Sequence, residues 1–465
     1  MVIYFTVAIL LGLYALRSYR ASLAMYIPLS LLLNQNVNIL NVPGVPLVSL
    51  QSALSAYYII VLIFNRDIVR DSSSYPVKGA SVAIFLSWVV SCIFGLAPFA
   101  SSSTQLIRLA LDELIFLWII WAAIDKRSFK ILFSTLILVV GASCIYGVYE
   151  GFAHENPLNR YLLENAGSET ERVLDWTYDE DSPRGYRVRS FFIHPMGAGM
   201  AWAMFVCLVV YIAKFHYEKF RRTLRFAIPV ALASVYCLVL TKSRTPQIFL
   251  LLALVYYIIP RTQLQAVCLF AAALCGTVFL AAFSLTQSDG MALLLSVVDP
   301  SKSADVGGSD IPMRVMQLES CFRVVYDDWL LGLGFKGMSV FHDQGLIKDL
   351  LGLESIWFWT IVELGLIGVL VQLMLAYTLI VKMGFLMRNF ALGTFALSYY
   401  IAASISSLPG FSPALLFAII FFKYKNSYRY LVGASTVTPS ESTIPEDRDL
   451  LSARSTNLTA RSKLL

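Results

Sequence analysis

Charge is what this sequence has least of: of 465 residues only 14% are Asp, Glu, Lys or Arg, against roughly 25% in soluble domains. With 58% of residues hydrophobic, that scarcity excludes a fold whose main solvent is water. Cysteine patterning is missing too. Seven cysteines are scattered, Cys92, Cys207 and Cys275 among them inside apolar runs, with no CxxC or Cys/His cluster. Neither a disulfide framework nor a zinc site is expected. The first stretch, Val2 to Leu16, lacks the basic flank and small-residue cleavage site of a signal peptide, so a retained span is expected. The net charge of +6 comes from Lys and Arg in short loops between apolar runs rather than along one face, which points to membrane orientation and away from nucleic acid.

What is present in quantity is apolar runs of spanning length, since about 20 apolar residues cross a hydrocarbon core. They fall at 2–16, 22–34, 46–64, 79–98, 105–124, 131–151, 191–213, 226–242, 245–260, 263–284, 354–381, 389–407 and 410–423. The fold class expected is all-α, a polytopic transmembrane helical bundle of about 12–13 spans. Asn34, Asn36, Asn38, Pro43 and Pro46 interrupt the run near 22–50, leaving a span or a re-entrant segment open there. Basic turns such as Lys126/Arg127/Lys130 and Lys214 to Arg225 are assigned to the cytoplasm, which puts the long loops 152–190 and 285–353 outside. Residues 1–430 then form the transmembrane domain. Residues 431–465, Ser/Thr-rich and poor in large apolar side chains, read as a disordered cytoplasmic tail.

Charges at membrane depth are costly and mark the places where chemistry or pairing occurs. Arg108 and Asp112, four apart on one helix, can satisfy each other. Arg244, in Thr241-Lys242-Ser243-Arg244-Thr245-Pro246 between two apolar runs, has no acidic neighbour in sequence; its planar fork of donors suits an anionic phosphate group. Arg187, Arg189 and His194 sit where the first long loop returns to the membrane, as interfacial anchors or substrate contacts, with Arg189 the stronger functional candidate. The second loop carries Arg314 on a helix that ends in the glycine-rich turn Asp327-Asp328-Trp329-Leu-Leu-Gly332-Leu-Gly334-Phe-Lys336-Gly337. No GxGxxG count and no preceding strand accompany that turn, so a nucleotide-binding loop is not expected. Glu354 and Glu363 bracket the outer part of a long span; at 100° per residue they lie on opposite faces, about 13 Å apart along the axis, too far to act as a carboxylate pair.

In order, these motifs resemble the O-antigen ligase and polysaccharide polymerase (Wzy-type) superfamily of bacterial inner-membrane glycosyltransferases. Arg189 to Gly197 resembles its basic re-entry segment, Ser243-Arg244 its Ser-Arg hairpin, Pro312 to Gly337 its loop helix with a glycine-rich end, and Glu363-x-Gly365-x-x-Gly368 its E-x-G-x-x-G span. The likeness covers roughly residues 185 to 370; earlier spans match in hydropathy alone. Ligases of the superfamily carry His-Asn where this chain has Glu354-Ser355, which looks more like the exopolysaccharide polymerase branch.

The resemblance implies repeat-unit polymerisation: transfer of a glycan from undecaprenyl diphosphate to a hydroxyl of a lipid-linked acceptor at the outer face of the bacterial inner membrane. It implies Arg244 and Arg314 at the departing diphosphate, Glu354 as proton acceptor, and Arg189, Arg187, His194 and Glu363 as substrate contacts, with no metal and no cofactor. The partners implied are the undecaprenyl-diphosphate-linked oligosaccharide, the lipid bilayer, and flippase and chain-length regulator proteins. Trp329, Trp357 and Trp359 stand open between sugar stacking and an interfacial belt. An O-antigen ligase of the same superfamily and a secondary transporter or flippase remain the competing functions; the functional-looking charges, set at outer boundaries rather than at the midplane, argue against the transporter.

Overall fold

Runs of Leu, Ile, Val, Phe and Ala fold as helices here because a chain without water around it must satisfy its own backbone donors and acceptors. The computed structural model describes residues 2–31, 38–40, 48–65, 75–166, 186–192, 194–258, 311–343, 353–406, 416–417 and 420. The span expected at 263–284, most of that at 410–423, the loop residues 167–185 and 285–310, and the tail 431–465 lie outside the described residues.

In chain order the helices are α1 (Val2–Arg17), α2 (Tyr19–Ser30), α3 (Leu50–Phe64), α4 (Lys78–Phe94), α5 (Phe99–Leu109), α6 (Phe116–Ala123), α7 (Lys126–Ala153), α8 (Pro157–Ala166), α9 (Pro195–Leu240), α10 (Arg244–Ile258), α11 (Ile311–Val324), α12 (Gly337–Asp343), α13 (Ile356–Tyr377) and α14 (Phe390–Ser404). A wider π-helical turn, Ala110–Ile115, joins α5 to α6, and another, Thr378–Leu386, extends α13. The expectation of an all-helical membrane protein holds, with one small exception: β1 (Asn38–Leu40) pairs antiparallel with β2 (Val48–Ser49), flanking the Asn/Pro-interrupted stretch. Among the described residues three helical stretches, Arg127–Ala153, Pro195–Leu240 and Ile356–Leu386, are long and apolar enough to cross a membrane, and five shorter apolar helices accompany them. Leu138 and Ile145, seven apart on one face of α7, are 73% and 76% exposed, as a face turned to lipid would be.

Helices α2 and α9 pack on α7, α9 doubles back into α10, α10 lies on α14, and α13 lies on α4 and receives α11. Small polar groups tie the first helices together, as at other buried membrane interfaces: Tyr19 donates to the Tyr58 carbonyl at 3.1 Å, and the Ser22 and Tyr58 hydroxyls meet at 2.7 Å. Asp112, as expected, faces Arg108 at 4.0 Å, and it also accepts from Ser52 at 2.7 Å.

The basic segment Lys214 to Arg225 is helical rather than a turn between two spans, and the chain runs from Pro195 to Leu240 with a single non-helical residue, His216 (φ −140°, ψ 24°). The reason is local: between Ala213 and Leu224 there is neither Gly nor Pro, and Lys, Glu and Arg are good helix formers.

Helix α7 starts at a capping box. Asp125 accepts from the Arg127 and Ser128 N–H groups at 3.0 and 2.8 Å, Ser128 Oγ accepts from Asp125 N–H at 2.8 Å, and Arg20 of α2 reaches Asp125 at 2.8 Å. Partial burial pushes the Asp125 carboxyl up, but the Ser128 donors and the Arg20 guanidinium outweigh it and hold the group at about 2. A carboxylate depressed on folding contributes stability above its unfolded value, near 4, and loses that contribution as pH falls toward 2. Asp125→Ala should therefore lower stability by about 1 kcal/mol at neutral pH. In thermal melts of detergent-solubilised protein the gap to wild type should be constant from pH 8 to 5 and close on further acidification.

The most consequential break is in α13. Gly365 has φ 59° and ψ −155°, so the helix opens there, and the segment Trp329–Leu333 takes the freed positions. Leu333 N–H donates to the Val362 carbonyl at 2.7 Å, Leu366 N–H to the Trp329 carbonyl at 3.0 Å and Ile367 N–H to the Leu330 carbonyl at 3.3 Å, while the Glu363 carbonyl accepts from Ser91 Oγ at 3.0 Å. Irregular backbone at membrane depth persists only where protein supplies the missing partners, and here loop backbone supplies them. The glycine-rich turn, expected in an outer loop, is thus an insert in a broken span.

Candidate active site

The first long loop returns to the membrane at Tyr186 to Arg189, a segment without regular secondary structure. Val188 N–H donates to the Leu240 carbonyl at 3.2 Å, docking the segment on the end of α9. Arg187 then lies over the turn between α9 and α10: its Nε donates to the Thr241 carbonyl at 3.1 Å and its Nη2 to Ser243 Oγ at 2.6 Å. A cation there satisfies carbonyls left over at a helix C-terminus. Lys242, with φ 48°, makes the turn tight enough for α10 to begin at Arg244.

Helix α11 carries the second half of the site. Arg314 Nη1 donates to the Glu354 carbonyl at 3.2 Å and Nη2 to Glu354 Oε2 at 3.1 Å, while Gln317, one turn on, accepts from Glu354 N–H at 3.4 Å. Burial works against the Arg314 charge and lowers its pKa, and the Glu354 carboxylate acts in the opposite sense. Ser355 caps α13 by accepting from Trp357 N–H at 3.2 Å, so Glu354 lies ahead of the helix. The expected helical offset between Glu354 and Glu363 does not apply, because Glu354 is held by α11 in extended chain.

These pieces form a small, partly open cleft lined by Arg187, Met196, Ser243, Arg244, Thr245, Ile248, Arg314, Glu354, Ile405 and Ser406. Three arginines from three separate chain segments and one glutamate line it, and the first turn of α10 adds backbone N–H groups of the kind that hold phosphate oxygens.

The other site residues expected from sequence lie elsewhere. Arg189 is 2% exposed and does not line the cleft that Arg187 lines. His194 caps α9 by accepting from Met196 N–H at 3.1 Å. Glu363 pairs with Lys336 at 3.8 Å beside the Gly365 break. Two of the three tryptophans hydrogen-bond within the fold, Trp357 to Ser404 Oγ at 2.7 Å and Trp359 to the Leu353 carbonyl at 3.0 Å, whereas Trp329 is exposed. Sequence reasoning overlooked Gln317, Lys336 and Glu150. No local signal separates Arg187 from Arg189 or marks the other three. Among the described residues no three His, Cys, Asp or Glu side chains gather as a metal site would require.

No curated protein matches the chain. Residues 229–373, which include Arg244, Arg314, Glu354 and the break at Gly365, match the family model described as O-antigen ligase, so this part of the chain is similar to the O-antigen ligase and polymerase superfamily.

Proposed function

We propose that the chain is a membrane glycosyltransferase that moves a glycan from undecaprenyl diphosphate to a sugar hydroxyl of a lipid-linked acceptor, polymerising repeat units at the outer face of the bacterial inner membrane. The observation that carries this reading is the convergence of Arg187, Arg244 and Arg314 on the cleft that holds Glu354. As the acceptor oxygen bonds to the anomeric carbon, the bond from that carbon to the diphosphate breaks and its electron pair leaves with the diphosphate. Arg244 and Arg314 stabilise that growing charge, Arg187 binds the diphosphate in the ground state, and Glu354 takes the hydroxyl proton.

The Arg314–Glu354 pair supports an order of events. A diphosphate arriving at Arg314 competes for the guanidinium that holds Glu354, so the carboxylate becomes available as base once the donor is loaded. Arg189, His194 and Glu363 act in this reading through the architecture of the site rather than on the substrate.

Ligation of finished glycan to a lipid core is the second reading, favoured by the description of the matching family model; Glu354-Ser355 in place of His-Asn favours polymerisation. A carrier would use the broken α13 to coordinate an ion, but the backbone groups at this break are taken by Trp329, Leu330 and Leu333.

The test is a polysaccharide-producing strain lacking the native gene, complemented with wild type or Glu354→Gln at equal membrane levels. Glu354→Gln should lower transfer by about 10²- to 10⁴-fold, with single lipid-linked repeat units accumulating. Full-length polymer from the variant would reject Glu354 as base. Normal polymer lacking only its attachment to a lipid core would identify a ligase.

A further inference from the structure

Near the end of α7 the chain buries a carboxylate completely: Glu150 is 0% exposed. Asn156, just after α7, hydrogen-bonds to it, and the returning loop supplies further donors. Ser190 N–H reaches it at 2.6 Å, Arg189 N–H at 3.2 and 3.3 Å from its two oxygens, and the Tyr186 hydroxyl at 3.0 Å. A buried carboxyl group is tolerated because its oxygens are so fully used.

Ser190, the residue most tightly held, has φ 53°, a left-handed conformation that a non-glycine residue keeps only when its surroundings over-determine it. The surroundings do so here. Its carbonyl accepts from Asn156 at 2.9 Å and Asn159 at 3.2 Å, and its hydroxyl donates to the Ser143 carbonyl at 2.7 Å. Glu150 therefore grips the loop on both sides of Arg187, at Tyr186 and at residues 189 and 190.

We propose that Glu150 is a positioning residue for the cationic cleft: it fixes the register in which the returning segment meets the α9–α10 turn, and so sets where Arg187 meets Thr241 and Ser243. This rests on the reading of the cleft as a diphosphate site. Glutamine at 150 keeps the shape but offers one acceptor oxygen where the carboxylate offers two, so one of the gripped N–H groups loses its partner and Arg187 is no longer held over Ser243.

The experiment is a double-substitution cycle on the full-length protein in nanodiscs, reading binding of inorganic diphosphate by calorimetry. Glu150→Gln and Arg187→Ala should each weaken binding about tenfold, and the double variant should bind no more weakly than Arg187→Ala alone, because the first residue acts through the second. In transfer assays Glu150→Gln should raise KM for the lipid-diphosphate donor with kcat within about twofold of wild type, a split that general loss of folded protein does not produce.

If Glu150→Gln fails to accumulate, Tyr186→Phe removes one donor to Glu150 without stranding a charge; a loss of about threefold is expected, absent in the Arg187→Ala background. Equal losses in both backgrounds, for either variant, would overturn the positioning role alone. Wild type that binds no diphosphate, or binding that Arg244→Ala leaves intact, would overturn the reading of the cleft and this inference with it.

Discussion

Arg244→Ala should slow glycan transfer by about 10²- to 10³-fold, the loss seen when one preorganised donor to a developing oxyanion is removed. Arg314→Ala should do comparable damage. Both residues line the cleft, but they differ in what alanine leaves behind. Without Arg314, Glu354 loses its partner at 3.1 Å and no longer has a cation to leave when donor binds, so proton acceptance and charge stabilisation fail together. Without Arg244, Glu354 stays paired and the loss should fall on kcat. Arg244→Lys keeps the charge but not the planar fork, and should recover only part of the rate. The double alanine variant should lose less than the product of the single losses, since both cations act on one diphosphate. Initial rates with a lipid-diphosphate-linked donor would check this; wild-type rates for Arg244→Ala would remove it from the site.

The second large effect concerns folding. Gly365→Ala should destabilise the protein by about 4 kcal/mol or more and sharply reduce its level in the membrane. At φ 59° an L side chain is strained, and an added Cβ would lie 2.5 Å from the Leu330 carbonyl group. Gly332→Ala should behave alike, its Cβ falling 2.4 Å from the Val362 carbonyl oxygen at φ 64°. Either change expels the Trp329–Leu333 insert and leaves broken-helix backbone without partners. Gly197→Ala is the matched control: nothing lies within 4 Å of its Cβ position, and helical alanine should be neutral or mildly stabilising. Fluorescence-detected size-exclusion profiles with thermal challenge would separate the three, and wild-type behaviour of Gly365→Ala would refute the account of the break.

The glycine motif shows how far the letters alone reach. Glu363-x-Gly365-x-x-Gly368 is visible as a pattern, and so is the glycine-rich turn some 30 residues before it, yet nothing in either says that one plugs the other. That requires the unpaired carbonyl of Val362 and the N–H of Leu333 to be brought together in space. The site behaves the same way. Arg244, Arg314 and Glu354 are conspicuous because charges between apolar runs are few, whereas Glu150 sits inside a run that reads simply as a span.

By itself, then, the sequence determined that this is a helical membrane protein and where most of its described apolar helices begin and end, and it singled out a few cations as candidates, because run length, helix breakers and charge scarcity are local quantities. Only the tertiary structure decided that Arg187 rather than Arg189 meets Arg244 and Arg314, that Glu354 is held by α11 ahead of its helix, and that a loop repairs the break at Gly365. Those outcomes depend on which backbone donors and acceptors remain unpaired once the helices have packed, and that is a property of the assembled bundle rather than of any one segment.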